Sequence, residues 1–484
     1  MLGPAMLAVG LRDFVAARAF SQSFVFFAIV TLLISLATRS YKPSSIIRSH
    51  LIGLLSAFTI LPLIFAFPFY ATLPRVGFLN AWFEMISSFT TTGATLFESS
   101  TQLSQTLHFW RAIVGWLGGL LVWITAVAIF APLSLGGFEV KGASALGQGS
   151  WFSQISRITD PSERLARYAL KLAPTYIGLT IALWVGLTIA GDSSFVAACH
   201  AMSVMATSGI SPIGGLGNAQ SGFIGEVLIF GFLIFALSRL TYSRGLLGED
   251  RGRLIRDPEI RFALVLLVTV PSLLFLRHWF SATNSGDADT FVSALSALWG
   301  SLFTVMSFVT TNGFESQSWD IATDWSGLKA PGMVLIGLSL IGGGIATSSG
   351  GVKLLRVYAL YKHGLREVQK LIHPHSIGGA GRDARQIRKQ GATIAWVFFM
   401  LFALSIAAIM VLLSLTGLRF ESAIVLAAAA LSTNGPLINV AAETPITLSG
   451  IPDLAKMVLA GAMVLGRLET LAIIALLNPE VWRR

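Results

Sequence analysis

Apolar stretches long enough to cross a lipid bilayer recur along the whole chain, and no fold in water can hide so many of them. They run over 24–37, 51–71, 110–133, 168–190, 223–237, 262–276, 331–345, 396–415 and 454–477. With their flanks, most approach the roughly 20 residues a helix needs to span the hydrocarbon core. The reading is nine crossings. Hydrophobic residues make up 54% of the 484 positions and charged residues 12%, too little polar surface to cover two or three soluble domains. The solvent for this fold is lipid. The start of the chain does not combine a basic leader, a short apolar stretch and a small-residue cleavage site, so a cleaved signal peptide is not expected there.

A net charge of +10 could suggest nucleic acid, but the basic residues gather in particular loops instead of along one soluble face. One loop holds Arg39, Lys42 and Arg48, and another Lys141, Arg157, Arg164 and Arg167. A third carries six arginines from Arg239 to Arg261, and the richest runs from Lys353 through Arg356, Lys362, Arg366, Lys370, Arg382, Arg385 and Arg388 to Lys389. The positive-inside rule makes these loops and the Arg483–Arg484 tail cytoplasmic. The intervening loops face outward and carry Asp192, Asp287, Asp289, Glu315, Asp320, Asp324 and Glu421. A single cysteine, Cys199, excludes an intramolecular disulfide and a multi-cysteine metal site.

The outer loops contain a fourfold repeat. Its copies are Asn80 to Thr95 around Thr91-Thr92-Gly93, Phe195 to Ser211 around Thr207-Ser208-Gly209, Leu302 to Phe314 around Thr311-Asn312-Gly313, and Glu421 to Pro436 around Thr433-Asn434-Gly435. The glycines lie 116, 104 and 122 residues apart, each between two apolar spans. The unit is outer helix, re-entrant half-helix, polar glycine loop, second helix. Irregular backbone at membrane depth survives only when buried in protein or lining water. A half-helix descending from outside aims its partially negative C-terminal end at the membrane centre, which favours a cation. Glycine then permits carbonyls to turn toward a shared axis and replace an ion's hydration shell. One Thr/Ser-Gly could simply end a helix; four at equivalent places argue for a pore.

At these residues the chain resembles the TrkH/KtrB/HKT superfamily, specifically the bacterial TrkH-type potassium uptake subunits. The resemblance covers nearly the whole length through Thr90-Thr-Thr-Gly-Ala-Thr95, Phe109-Trp-Arg111, Trp116-Leu-Gly-Gly119, Gly350-Gly-Val-Lys353, His373-Pro374 and Gly466-Arg-Leu-Glu469 with Trp482. It implies an all-α integral membrane protein of the bacterial inner membrane, with four pseudo-symmetric membrane-pore-membrane repeats around a central pore and a short N-terminal leader helix. The expected divisions are 1–50 for the leader and 51–140, 165–245, 259–372 and 390–484 for the repeats. It also implies potassium as the transported ion, a homodimer with a pore in each protomer, and a cytoplasmic nucleotide-binding regulatory subunit of the TrkA type, through which alone a nucleotide would act. The basic loops would dock it, unless their charge serves topology alone. Glycine at all four filter positions goes with potassium in the family, whereas serine in the first marks sodium-preferring plant relatives.

The fourth loop, Ser-Thr-Asn-Gly-Pro-Leu, departs from the family's Asn-x-Gly-Pro-Gly. The second has Thr-Ser-Gly-Ile for Thr-Gly-Gly-Phe, and the third has Asn312 where threonine is common. The segment from Ala19 resembles the start of the second of two leader helices in the family, so the first looks missing.

Five glycines among the eleven residues 341–351 are costly inside a helix and predict a break, although small residues also serve close packing. The resemblance makes this stretch, with Gly342, Gly343, Gly344, Thr347, Ser348, Ser349 and Gly350, an intramembrane gate. Arg467 lies about 13 residues, or roughly 20 Å, into the last crossing and must face protein or water. It would either pair with a carboxylate such as Glu469 or Glu84 or stand as a fixed charge at the pore's waist, which the family supports. Glu84 and Arg111 are expected to brace the first pore helix. His200, His373 and His375 read as packing and loop residues. Two rivals remain: an alternating-access transporter, whose repeats would usually number two, and a membrane enzyme using Ser208 or Ser348 with His200 as base.

Overall fold

The computed structural model describes residues 1–39, 46–130, 161–238, 257–280, 291–373, 389–442, 444 and 446–468. Expectations at Lys42, Lys141, Arg157, Arg239 to Arg256, Asp287, Asp289, Pro374 to Arg388, Glu469, Trp482 and Arg483–Arg484 fall outside the described residues.

The described residues form helices and turns with no strand. The leader comprises two helices, α1 (Leu2–Gly10) and α2 (Phe14–Thr38), where one was expected. The chain breaks between them because Arg12 is left-handed at φ 58° and the Asp13 side chain accepts the Ala16 amide at 3.1 Å, starting α2 afresh. Four units follow. The first is α3 (Ile46–Thr72), α4 (Phe78–Phe89) and α5 (Gln105–Thr125); the second is α6 (Pro161–Ile189), α7 (Ser194–Ala206) and α8 (Gly222–Leu233). The third is α9 (Pro258–Leu276), α10 (Phe291–Val309), α11 (Trp319–Ser326), α12 (Pro331–Ile341) and α13 (Leu354–Ile372). The fourth is α14 (Lys389–Leu415), α15 (Phe420–Leu431), α16 (Leu437–Ala441) and α17 (Asp453–Leu468).

Seven described helices are long and apolar enough to span, and six coincide with expected crossings. The seventh, Phe291–Val309, is the third pore helix, longer than the short re-entrant segment the sequence suggested. Conversely, the expected spans at 223–237 and 331–345 contain shorter helices, the latter stopped at Gly342, where φ is 71°.

Burial separates lipid-facing from inner helices. The apolar windows of α2, α6 and α14 are 11%, 17% and 22% buried, whereas that of α5 is 72% buried. Hydrophobic side chains such as Leu404, Val411 and Leu415 on α14 point outward, as lipid permits and water would penalise. The units close on themselves. α5 packs on α6 and α7, α8 on α10, α12 on α15 and α16, and α17 returns to α3 and α4.

The first pore helix is seated by small residues on α5. A Cβ on Gly118 would overlap the Phe89 carbonyl at the end of α4, while Gly178 on α6 has open space around it. Gly118→Ala is expected to cost about 1–3 kcal/mol by overpacking, read as a lower thermal midpoint in detergent. Gly178→Ala should hold or raise that midpoint, since alanine is the better helix former.

Candidate ion pathway

All four pore helices end in the same backbone motif. Thr91, Thr207, Thr311 and Thr433 adopt left-handed φ values of 55°, 48°, 55° and 52°. Around the first, the Thr91 amide donates to the Ser88 carbonyl and the Thr92 amide to Ser87, both at 2.9 Å, and the pairs recur at Thr207/Ser208, Thr311/Asn312 and Thr433/Asn434. This is the Schellman termination, in which glycine or asparagine usually takes the left-handed place. A β-branched residue there costs on the order of 1–3 kcal/mol and persists only where its surroundings demand it. The sequence reading gave the turn to the glycines, and the structure gives its first half to the threonines.

The loops that follow meet in a closed ring. A Cβ on Gly93 would overlap the Ser208 carbonyl, one on Gly209 the Asn312 carbonyl, one on Gly313 the Asn434 side chain, and one on Gly435 the Thr92 carbonyl. Each glycine thus abuts the residue preceding the glycine of the next unit, and the fourth unit returns to the first. The Gly435 amide donates directly to the Thr92 carbonyl at 2.6 Å. Gly93 also needs its φ of 76°, whereas Gly435 does not share the positive φ of the other three; Pro436 follows it and α16 starts at once.

The glycine-rich stretch is a break. No residue from 342 to 353 is helical, and both it and Arg467 lie against the four threonines. Thr207 Oγ1 donates to Ser348 Oγ at 3.1 Å, and the Gly350 amide donates to Thr311 Oγ1 at 2.7 Å. A Cβ on Gly350 would overlap Thr433 Oγ1 and the Ser432 carbonyl. An Arg467 amino group donates to Thr91 Oγ1, and its other reaches the Ser349 carbonyl at 3.5 Å. Thr347 Oγ1 lies 2.6 Å from Ser349 Oγ. Behind the loop, Glu259 accepts the Ile345 amide at 3.2 Å, and Lys353 donates to the Ser349 carbonyl. A small cavity of about 20 Å³ lies beneath, lined by Thr347, Ser349, Gly350, Lys353 and Arg467 with the end of α5.

Glu84 is fully buried and pairs with Arg111 Nε at 3.0 Å, so it is not the partner of Arg467. Its other oxygen accepts Thr95 Oγ1 at 2.8 Å and the Leu96 amide at 2.5 Å. His200 lies against neither Ser208 nor Ser348; its Nε2 is 2.9 Å from Ser211 Oγ. That hydroxyl also serves the turn of its own loop, accepting the Ile213 amide at 3.2 Å. An acid does stand behind His200, contrary to the sequence reading: Asp192 lies 3.9 Å from Nδ1. Asp192, expected in an outward loop, is buried. Burial opposes its charge, but His200 and the Ser221 donors outweigh that and hold its carboxyl below the usual range.

Two cations assigned to a cytoplasmic surface are interior. Lys353 is buried beneath the glycine-rich stretch, and Arg356 is fully buried with its guanidinium 3.6 Å over the Phe398 ring. Their place at the start of α13, directly after the break, explains it. Glu226 on α8 was missed. It accepts Trp299 Nε1, Ser316 Oγ and the Gln317 amide at 2.7, 2.8 and 2.6 Å, holding the third loop. Its signal was a lone acid inside an apolar segment.

Comparison with known proteins turns this geometry into a family assignment. The family model described as TrkH, cation transport protein, matches residues 16–481. The chain belongs to the TrkH family. Among similar TrkH-family proteins, the Trk system potassium uptake protein TrkH of Vibrio parahaemolyticus is 30% identical, over 100% of this chain and 96% of its own. That of Salmonella typhimurium is 29% identical with the same coverage. The crystal structure of the potassium transporter TrkH from Vibrio parahaemolyticus superposes with a TM-score of 0.83 at 27% identity, covering 100% of this chain and 96% of that one.

Glu315, two residues beyond Gly313, has its carboxyl pushed up to about 7 by burial and by the neighbouring Asp320. Raising the outside pH through neutrality therefore charges it, and acidification neutralises it. Negative charge beside a pore mouth concentrates cations. Apparent affinity in rubidium uptake is expected to fall by about two- to threefold between roughly pH 8 and pH 6. Glu315→Gln should hold it near the acid value at both pH values; an unaltered pH profile would exclude Glu315 as the group responsible.

Proposed function

We propose that this protein takes up potassium across the bacterial inner membrane through the ring formed by Thr91-Thr92-Gly93, Thr207-Ser208-Gly209, Thr311-Asn312-Gly313 and Thr433-Asn434-Gly435. The observation that carries the reading is the closure of that ring, each glycine abutting the next loop. Four short polar loops on one axis supply oxygen atoms from several directions, which is what replacing an ion's hydration shell requires. Labelled potassium and rubidium uptake in potassium-starved cells lacking their own systems tests it, and failure to restore growth would overturn it. Gly93→Ser should weaken the preference for potassium over sodium by about tenfold, since the added side chain displaces the Ser208 carbonyl.

The stretch 342–350 with Arg467 acts as the gate. It spans the inner side of the threonines by hydrogen bonds that a modest movement of α13 could exchange, and glycine lends it little stability of its own. Arg467 holds a positive charge where a cation must pass. Deleting 342–350 or replacing Arg467→Ala should raise potassium flux in protein that still folds and inserts; flux no higher than the parent's would put the gate elsewhere.

The protein works as a homodimer with a nucleotide-binding regulatory subunit of the TrkA type on its cytoplasmic face. Lys362 and Arg261 are exposed on that side, and Lys353 and Arg356 are not available for docking. Charge reversal at Lys362 and Arg261 should abolish co-purification with the cognate subunit while insertion stays intact.

A further inference from the structure

The residue nine positions before each filter glycine is Glu84, His200, Thr304 or Leu426, and all four are fully buried. In three units this side chain crosses from the pore helix to the outgoing limb of its own loop, two or three residues past the glycine. Glu84 accepts Thr95 Oγ1 and the Leu96 amide, His200 meets Ser211 Oγ at 2.9 Å, and Thr304 Oγ1 accepts the Ser316 amide at 3.3 Å. The fourth unit has Leu426 and no polar atom to offer, and its loop alone lacks the positive glycine φ.

His200 reaches furthest. Its ring meets the Phe314 ring edge-on at 5.5 Å between centroids, and Phe314 directly follows Gly313. One imidazole therefore touches the outgoing limbs of the second and third loops. Behind it, Asp192 is held by the Ser221 amide at 2.9 Å and the Ser221 hydroxyl at 3.0 Å at the start of α8. A buried side chain hydrogen-bonded at Nε2 and packed on the Phe314 ring, with the Asp192 carboxylate 3.9 Å from Nδ1, lies between two loops that must hold their oxygens at set distances and bears on which ion fits.

We propose that His200 is a positioning residue for ion discrimination: a strut that fixes the outer limbs of the second and third loops through Ser211 and Phe314. The strut rests on reading the four loops as the filter. It acts on geometry, not by touching the ion, so its effect belongs in the competition between ions more than in the amount of folded protein.

Rubidium uptake with sodium as competitor is measured for His200→Leu, which imports the fourth unit's residue type, for Ser211→Ala and for the pair together. His200→Gln retains an amide that can reach Ser211, and Gly93→Ser serves as control. Each of the first two variants should lower discrimination about three- to tenfold, the loss expected of one buried hydrogen bond. The double variant should be no worse than the poorer single, because both remove one contact, and His200→Gln should recover most of it. Should His200→Leu fail to insert, Ser211→Ala still has to lose discrimination. The strut is overturned if inserted Ser211→Ala discriminates as the parent does, if the two effects add, or if glutamine does no better than leucine. Unchanged discrimination in Gly93→Ser as well would sink the filter reading itself; a shift there alone sinks only the strut.

Discussion

Every backbone amide and carbonyl placed at membrane depth outside a helix must find its partner within the protein, because lipid offers none. Four pore-helix ends and one glycine-rich break stand under that demand here, and they satisfy it largely through one another. The Schellman bonds close each helix end, the Gly435 amide ties the fourth loop to the first, and Gly350 donates to Thr311. Removing any one loop would strand the polar groups of its neighbours, so the ring holds together as a unit.

The same demand explains why buried charge is placed where it is. Glu84 and Glu226 each accept several donors from the limb that leaves a pore-helix loop, and Glu259 accepts an amide of the glycine-rich stretch. A buried carboxylate is costly unless so satisfied, and once satisfied it holds irregular backbone more firmly than a neutral acceptor would. Beneath the threonines the buried charges that line the cavity are cationic, Lys353 and Arg467, both directed at the Ser349 carbonyl. Above the threonines Glu84 and Glu226 hold the outgoing limbs, and beneath them Lys353 and Arg467 line the cavity, with Glu259 behind the glycine-rich stretch.

The pseudo-symmetry is incomplete. The left-handed threonine recurs four times, the left-handed glycine three, and the polar strut behind the loop three. The fourth unit departs from the others at Gly435, which lacks the positive φ, and Pro436 and the short helix α16 follow at once. Its departure from the family's usual loop sequence has a structural counterpart in that one place.

Residue types alone determined that this chain crosses a membrane, that four outer loops repeat, and that the third unit's second helix breaks at its glycines. Those features are written in local composition, where hydropathy, glycine content and spacing act directly. Tertiary structure decided the rest. That threonine and not glycine takes the first left-handed place follows from what lies beneath it: Arg467, Ser348 and Gly350 occupy the hydroxyl positions, and these come from chain segments more than a hundred residues distant or nearly forty. That Lys353 and Arg356 are interior follows from where the break sets the start of α13. The contact of His200 with Ser211 and Phe314 joins two loops whose proximity no single helix specifies, because only closure of the ring brings them together.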